Sequence, residues 1–373
     1  MKIRKTISLI SAAALTFSTT SNANALTIPS TFEKLAKSAT LAKPGIIIVD
    51  PVTQTEIYSE LADVPRAPAS VLKLISAAAA ISTFGPEKIF HTTISATEDP
   101  DIFFLQGERD PWLTTSSKDA KRLNRALSTK LINAVIKDRE ELSGLKIRFN
   151  GLFDADIESL RKFYGKKIKF ERSSKPPVIE GQESLEIARI SSPTLREILE
   201  FTLLWSDNVL ADRLAKNAAA QMGYSRDGTG VELIFKETLN SLGVDSTGLK
   251  AFDGSGLSHD NRVSARTIAE LLLKIRTEPQ FQAIYDGLPT AGKTGTLKKR
   301  FREYGSAAKG LVKAKTGWIN TSVTLAGYIE AGESEYIFAV IANRITPTEN
   351  SRDRARKIID KMLATIAKPL EVA

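Results

Sequence analysis

The segment SVLKLISAAAAISTF, residues 70–84, is an apolar, Ala-rich run with no Gly or Pro inside it. Pro68 lies where a helix favours proline, near its first turn, and Gly85-Pro86 ends the run. Because the run is largely apolar, we expect a helix that is buried in the centre of a domain. The 373-residue chain is long enough to supply that core.

Sequence patterns on either side of this helix predict an α+β fold. Strands are predicted at 45–49, 55–58, 311–315, 323–329 and 336–342. Helical periodicity begins after Pro193, recurs in several segments and ends in a terminal helix at 351–367. A strand pair near the N-terminus and a late run of strands before a terminal helix indicate an antiparallel sheet flanked by helices.

The region between residues 90 and 185 has a different character and predicts a short inserted α/β subdomain. Its signals are short strands at 102–105 and 146–149, a polar helix at 117–135 and a basic stretch at 161–175. We therefore expect a discontinuous main domain, built from residues 26–89 and 186–373, that is interrupted by this insertion.

Residues 1–25 have the pattern of a secretory signal peptide. Three basic residues precede a short apolar run at 7–17, and Ala23-Asn24-Ala25 provides the small residues that signal peptidase cleaves after. The apolar run is shorter than the roughly 20 residues that a bilayer requires, although an uncleaved anchor remains the alternative. The pattern predicts export to the periplasm, the cell-wall space or the medium.

Composition excludes several kinds of site. The chain has no Cys, which excludes disulfides, thiolate zinc sites and a cysteine nucleophile. Its two His, His91 and His259, are far apart in sequence, so we expect neither a metal site nor a Ser-His-Asp triad. The net charge of +9 suits peripheral contact with an anionic cell envelope. Basic residues are spread without interleaved aromatics, so no nucleic-acid partner is expected.

Ser70 and Lys73 are the candidate reactive pair. Positions i and i+3 share a helix face, so the Lys73 amine can reach the Ser70 hydroxyl. A lysine that is kept neutral by burial can take the serine proton. S-x-x-K occurs four times, at Ser70, Ser143, Ser159 and Ser306, but only Ser70 opens an apolar helix. Taken alone, the motif also fits a helix-capping serine beside a surface lysine.

Two further triplets strengthen this interpretation. Ser206-Asp207-Asn208 lies between two helical segments and offers a second hydroxyl for proton transfer and an amide for the substrate. Lys315-Thr316-Gly317 follows an apolar strand signal, where a lysine can offset a substrate carboxylate and a glycine lets a substrate backbone approach. S-x-x-K, S-D-N and K-T-G in this order form the joint signature of penicillin-binding proteins and serine β-lactamases.

Longer stretches resemble one family in particular, the class C low-molecular-mass penicillin-binding proteins, which are serine D-alanyl-D-alanine carboxypeptidases and endopeptidases. Asp253-Gly254-Ser255-Gly256-Leu257-Ser258 through Ser264 resembles that family's DGSGLS-x-x-N-x-V-S. Residues 105–114 resemble its L-x-G-x-x-D-P-x-L-T, and residues 295–301 its G-T-L-x-x-R-F. The resemblance runs from about residue 42 to the C-terminus, and it implies a transpeptidase fold of the penicillin-binding and serine β-lactamase type.

The resemblance also implies roles for individual residues. Ser70 would be the acylated nucleophile and Lys73 its base, while Ser206 and Asn208 would line the cleft. Lys315 and Thr316 would hold the carboxylate of the stem peptide or of a β-lactam, with Gly317 beside them. The backbone N–H groups of Ser70 and Trp318 would form the oxyanion hole. Trp318 departs from the family's usual Thr, and we expect its large ring to narrow the cleft. No cofactor is implied.

Three alternatives remain at this point. Gly287-x-x-x-x-Gly292-Lys293-Thr294 matches a phosphate-binding P-loop, which requires a strand before it and a helix after it. This alternative is disfavoured, because residues 281–286 are a poor strand signal and Pro289 lies inside the loop. A class A β-lactamase requires a deacylating Glu between S-D-N and K-T-G, and Glu237 is a weak candidate inside a helical pattern. The third alternative is a non-catalytic peptidoglycan-binding descendant, for which Trp318 is the main argument.

Overall fold

The computed structural model describes residues 26–137, 139, 141–174 and 185–370. The expected signal peptide, residues 1–25, lies outside these ranges. No helix within them combines the length and the apolar character needed to cross a membrane.

In the described part of the chain, ten strands form two five-stranded sheets. The strands are β1 (Gly45–Val49), β2 (Glu56–Glu60), β3 (Ile89–Ala96), β4 (Ile102–Gly107), β5 (Lys146–Asn150), β6 (Lys169–Arg172), β7 (Glu186–Thr194), β8 (Val312–Ile319), β9 (Ser322–Ala331) and β10 (Ser334–Asn343). The first sheet has the order β2-β1-β10-β9-β8, and all of its neighbouring pairs are antiparallel. The last strand in that order, β8, therefore lies at the edge of the sheet.

Helices cover both faces of the first sheet. The helices of the described ranges are α1 (Ser30–Ala36), α2 (Lys73–Phe84), α3 (Ser117–Leu123), α4 (Thr129–Ile136), α5 (Asp154–Tyr164), α6 (Leu195–Trp205), α7 (Asn208–Gln221), α8 (Gly228–Ser241), α9 (Ala265–Thr277), α10 (Gln282–Asp286) and α11 (Glu349–Ala364). Helices α2 and α6–α10 share one apolar core with one face of the sheet, and α1 and α11 share another core with the opposite face. Because side chains alternate along a strand, the residues of β8 point in turn towards α2 and towards α11.

The second sheet has the order β6-β5-β4-β3-β7 and its own apolar core. The pairs β4–β5 and β5–β6 are parallel, whereas β3 pairs antiparallel with both β4 and β7. Strand β7 covers residues that the sequence assigned to the main domain, because it lies beyond the expected boundary at residue 185. Its pairing with β3 extends the second sheet to Thr194.

Most of the predicted elements are confirmed, and the structure differs at the following points. The strand pair at the N-terminus, the three late strands and the terminal helix are present, which confirms the α+β class. The polar helix expected at 117–135 is two helices, α3 and α4, because Asn124 adopts a left-handed conformation that ends α3. Helix α5 was missed because its strongly charged sequence masks the buried positions Ile157 and Leu160. At the end of α6, the Trp205 side chain is 55% exposed.

Candidate active site

A tight turn at the start of α2 presents Ser70. Residues Ala69–Leu72 form a 3₁₀ turn, and Ala69 has a left-handed backbone (φ 48°), which is strained for a residue with a Cβ. The Thr324 hydroxyl of β9 donates a hydrogen bond of 2.8 Å to the Pro68 carbonyl and holds the turn from the sheet side. The predicted α-helix therefore begins one turn later than the apolar run does.

Two glycines let other segments approach the nucleophile turn closely. A Cβ at Gly256 would lie 1.9 Å from the Ala69 oxygen, and Gly256 also has a left-handed backbone (φ 84°). A Cβ at Gly317 would lie 2.3 Å from Thr324 Oγ1 and 2.8 Å from the Ser70 nitrogen. Neither position has room for a side chain, so each glycine permits a contact that brings its motif to Ser70.

Lys73 joins three of the motifs through its amine. Its Nζ lies 2.8 Å from Ser70 Oγ, 2.7 Å from Asn208 Oδ1 and 2.5 Å from the Ser255 carbonyl oxygen. A neutral amine has two N–H donors and one lone pair. The Asn208 and Ser255 oxygens only accept hydrogen bonds, so they take the two donors and leave the lone pair facing the Ser70 hydroxyl.

Burial sets the protonation of Lys73. The residue is 1% exposed, and desolvation lowers the pKa of its amine to about 7, although the negative charges of Asp253 and Asp207 oppose the shift. Near neutral pH a large fraction of this amine is therefore unprotonated. That fraction can act as a general base towards the hydroxyl in front of it.

Lys250 pairs with Arg262 in an isolated β-bridge, and the loop between them places the Ser255 carbonyl against Lys73. Asp253 organises this loop: its carboxylate accepts hydrogen bonds from the backbone N–H groups of residues 255–258 and from the Asn261 side chain. Burial opposes ionisation of Asp253, but these hydrogen bonds outweigh it and lower the pKa of the carboxyl group. The loop thus has a fixed, negatively charged centre.

The S-D-N triplet is the junction between two helices. Ser206 ends α6 in a left-handed conformation (φ 59°). Asp207 caps α7 by accepting a hydrogen bond of 2.9 Å from the Leu210 N–H. This geometry directs Asn208 towards Lys73, and it places the Ser206 hydroxyl 2.8 Å from the Nζ of Lys315.

Lys315 lies on the face of β8 that points towards α2, and its side chain is completely buried. Its amine also donates to the Thr316 carbonyl at 2.8 Å. Burial, together with repulsion from Lys73, lowers the pKa of Lys315 well below the usual value for lysine. The two lysines therefore oppose each other's protonation inside one cleft.

Thr316 and Trp318 lie on the other face of β8, the one towards α11. The Thr316 hydroxyl is 2.8 Å from the hydroxyl of Thr296. The Trp318 ring is 55% exposed and has the guanidinium groups of Arg352 and Arg356 5.4 Å from its centre. The ring does not point towards the nucleophile turn, which packs against Gly317 on the opposite face. The expected narrowing of the cleft around Ser70 is therefore absent.

The structure also separates the site residues from the competing motifs. The segment before Gly287 is the short helix α10 rather than a strand, and only a 3₁₀ turn, Gly295–Leu297, follows Thr294, so the P-loop match lacks its required context. Lys293, which forms another K-T-G triplet with Thr294 and Gly295, is exposed. Glu237 lies on α8 and accepts a hydrogen bond of 2.8 Å from the Tyr224 hydroxyl.

Sequence reasoning missed two contributors to the site. The Ser255 carbonyl accepts from Lys73, and Thr296 supports Thr316. Both residues belong to stretches that carried the family resemblance, which was the available signal. In addition, a cavity of about 480 Å³ extends from Asn208 and Ser255 to Phe153 of the second-sheet region. Across the described part of the chain, no three His, Asp or Glu side chains converge in a metal-binding arrangement.

Comparisons with known proteins agree with this geometry. The model of the D-Ala-D-Ala carboxypeptidase 3 (S13) family matches residues 31–139 and 168–366. The chain belongs to this family. Carboxypeptidase DacB of Mycolicibacterium smegmatis is 30% identical over 89% of this chain and 83% of its own length. Carboxypeptidase Rv3627c of Mycobacterium tuberculosis is 24% identical over 88% of this chain and 82% of its own length.

The fold is also similar to that of a solved penicillin-binding protein. Penicillin binding protein 4 (dacB) from Haemophilus influenzae superimposes with a TM-score of 0.70 at 16% identity, over 90% of this chain and 98% of that one. This likeness confirms the penicillin-binding type of fold that the motifs predicted. As a member of the S13 family, the chain is a serine-type D-Ala-D-Ala carboxypeptidase.

Proposed function

We propose that this carboxypeptidase is exported and cleaves peptidoglycan stem peptides at D-Ala-D-Ala or a related cross-link amide. It would act through an acyl-enzyme on Ser70, and β-lactams would inhibit it by acylating the same serine. The observation that carries the proposal is the buried Lys73 amine, which lies 2.8 Å from Ser70 Oγ and has acceptors on its other sides. The structure of the Haemophilus influenzae protein in complex with a β-lactam supports the inhibitor class.

In the acylation step, Ser70 Oγ attacks the carbonyl carbon of the scissile amide while its proton moves to the neutral amine of Lys73. The carbonyl oxygen becomes an oxyanion, and the backbone N–H groups of Ser70 and Trp318 would stabilise it. The C–N bond then breaks, and the leaving amine takes a proton. Ser206 is the proposed donor because its hydroxyl lies 2.8 Å from Lys315, which can supply the proton that Ser206 gives up.

Deacylation reverses these roles with water as the nucleophile. Lys73 first becomes neutral again when the proton that it took from Ser70 moves on to Lys315, where it replaces the proton that passed through Ser206 to the leaving amine. Lys73 then takes a proton from water, the resulting hydroxide attacks the ester carbon, and Ser70 leaves with the proton returned to it by Lys73. No metal or nucleotide takes part in either step. Lys315 and Thr316 would hold the substrate carboxylate, and Asn208 would bind the amide of the acyl part.

The location of the enzyme is part of the proposal. Its N-terminal pattern supports export, and its positive net charge supports peripheral contact with an anionic envelope. We also propose the division into a catalytic domain and an insertion. The boundary after the insertion is better placed at Thr194 than at residue 185, since β7 belongs to the second sheet.

The test of this proposal is release of D-alanine from an acylated peptide that ends in D-Ala-D-Ala. The wild-type protein should release one D-alanine per peptide, and Ser70→Ala should show no release above background. Ser306→Ala is a matched control, because Ser306 begins another S-x-x-K but lies in a separate 3₁₀ turn, Ser306–Ala308. It should retain wild-type activity. Activity that survives in Ser70→Ala would overturn the mechanism.

A further inference from the structure

An exposed aromatic side chain lies directly beside the predicted carboxylate site. Thr316 and Trp318 are two positions apart on edge strand β8, so their side chains share one face about 7 Å apart. Thr316 is buried, whereas 55% of Trp318 is exposed. A ligand whose carboxylate is held at Thr316 therefore has the indole ring as its next neighbour along the strand.

The ring is held in place by helix α11. Arg352 and Arg356 are one helical turn apart, and each guanidinium lies 5.4 Å from the ring centre. Both arginines are fixed in turn: Arg356 pairs with Asp353, and Arg352 donates to the Asn320 carbonyl at 3.3 Å. The indole is thus a pre-positioned apolar surface, and such a surface binds a ligand without first losing much side-chain freedom.

The Trp318 ring can contact the leaving residue of the substrate, which is the amino acid released when the amide bond is cleaved. In the proposed reaction, the carboxylate held by Lys315 and Thr316 belongs to the leaving residue, so the side chain of that residue lies nearest to Trp318. The methyl group of D-alanine covers little of an indole ring. A straight aliphatic side chain of several carbons would cover much more of it and would bury apolar surface.

We propose that Trp318 is a specificity-determining residue that favours a leaving D-amino acid with a long aliphatic side chain over terminal D-alanine. Arg352 and Arg356 are positioning residues that hold the ring. A leaving residue of this kind occurs where two stem peptides are joined through a diamino dicarboxylic acid, whose linking amine lies next to a carboxylate, so the preference is for such cross-links over free termini. This inference rests on the proposed function, because Thr316 must place the leaving carboxylate.

The experiment compares two acylated peptides that differ only in the leaving residue, D-alanine or D-norleucine. For wild type, kcat/KM should be higher for the D-norleucine peptide. Trp318→Thr should lower the D-norleucine to D-alanine ratio of kcat/KM about tenfold, and Trp318→Phe should keep most of it because a ring remains. An unchanged ratio in Trp318→Thr would overturn the proposal.

The positioning residues need a measurement that separates them from a general structural role. Arg352→Gln and Arg356→Gln should each raise KM for the D-norleucine peptide about threefold while kcat and the KM for the D-alanine peptide stay constant. An equal rise in KM for both peptides would contradict the assignment. Failure of the proposed function would look different, because wild type would then release neither residue.

Discussion

The two sheets of this chain use buried charge in different ways. Around the first sheet, buried Lys73 and Lys315 face polar groups of the cleft. In the second-sheet region, buried charges hold that region against α7. Asp156 of α5 forms an ion pair of 2.6 Å with Arg213 of α7. Burial of a charged group therefore does not by itself identify a catalytic residue. What distinguishes the lysines is a hydroxyl within hydrogen-bond reach.

The interface between the second-sheet region and α7 has further polar contacts. The Asn217 side chain of α7 donates a hydrogen bond of 2.8 Å to the Arg109 carbonyl. Asp110, which follows Arg109 in sequence, is almost fully buried. Burial raises the pKa of Asp110 to about 7, even though its hydrogen bond from the Trp112 N–H and nearby arginines oppose the shift. We interpret these groups as a docking surface that fixes the insertion on the helix carrying Asn208.

The largest expected effect concerns the two K-T-G triplets. Lys315→Met removes the buried amine that contacts Ser206 and should slow penicillin acylation about 1000-fold, a loss typical of removing one preorganised electrostatic group. Lys293→Met is the matched control, since it changes the exposed lysine of the other triplet and should leave the rate within twofold. The measurement is the acylation rate of a fluorescent penicillin. Equal effects of the two substitutions would contradict the assignment of the cleft.

A smaller effect on stability is expected from the docking charges. Asp156→Asn leaves Arg213 buried without its counter-charge and should lower the free energy of unfolding by about 3 kcal/mol. Urea denaturation measures this change. The acylation rate of the folded protein should stay within threefold of wild type, because Asp156 belongs to the second region.

Asp119→Asn is the control for that experiment. It breaks an exposed pair with Arg122 in the same region and should have no measurable effect on stability. If Asp156→Asn slowed acylation as strongly as Lys315→Met, the separation between a chemical and a docking role would be wrong.

The smallest expected effect is the pH dependence of acylation. Because the pKa of Lys73 is lowered to about 7, its amine is mostly neutral at pH 8 and mostly protonated at pH 6. Only the neutral amine can accept the Ser70 proton, so the acylation rate should fall about tenfold from pH 8 to pH 6. Above pH 8 the rate should be constant. A rate that continues to rise up to pH 10 would indicate a lysine with an ordinary pKa.

Sequence reasoning predicted the elements with strong local patterns. In α2 the apolar residues continue over the whole helix, and in the three late strands they form short segments of strand length. Each of these patterns favours one type of element, so these elements were predicted correctly. Charged elements such as α5 were missed because their buried positions are few. The start of α2 was also misplaced, because the left-handed Ala69 is imposed by tertiary contacts with Gly256 and Gly317 and not by local preference.

The site shows the same limit. The motifs identified the side chains of Ser70, Lys73, Asn208 and Lys315, which the structure brings together in one cleft. The family resemblance marked the stretch that contains Ser255, but it did not reveal the role of the Ser255 carbonyl, because a backbone group has no residue-specific pattern. The direction of the Trp318 ring depends on which face of β8 packs against α11, and this is a property of the whole sheet.

Acylation of Ser70 by penicillin can be measured by intact-mass spectrometry, which detects the adduct on the nucleophile. Wild-type protein should gain the mass of one penicillin, and peptide mapping should place the adduct on the peptide that contains Ser70. Ser70→Ala should gain none under the same conditions. A wild-type protein without an adduct, or an adduct on another residue, would contradict the account.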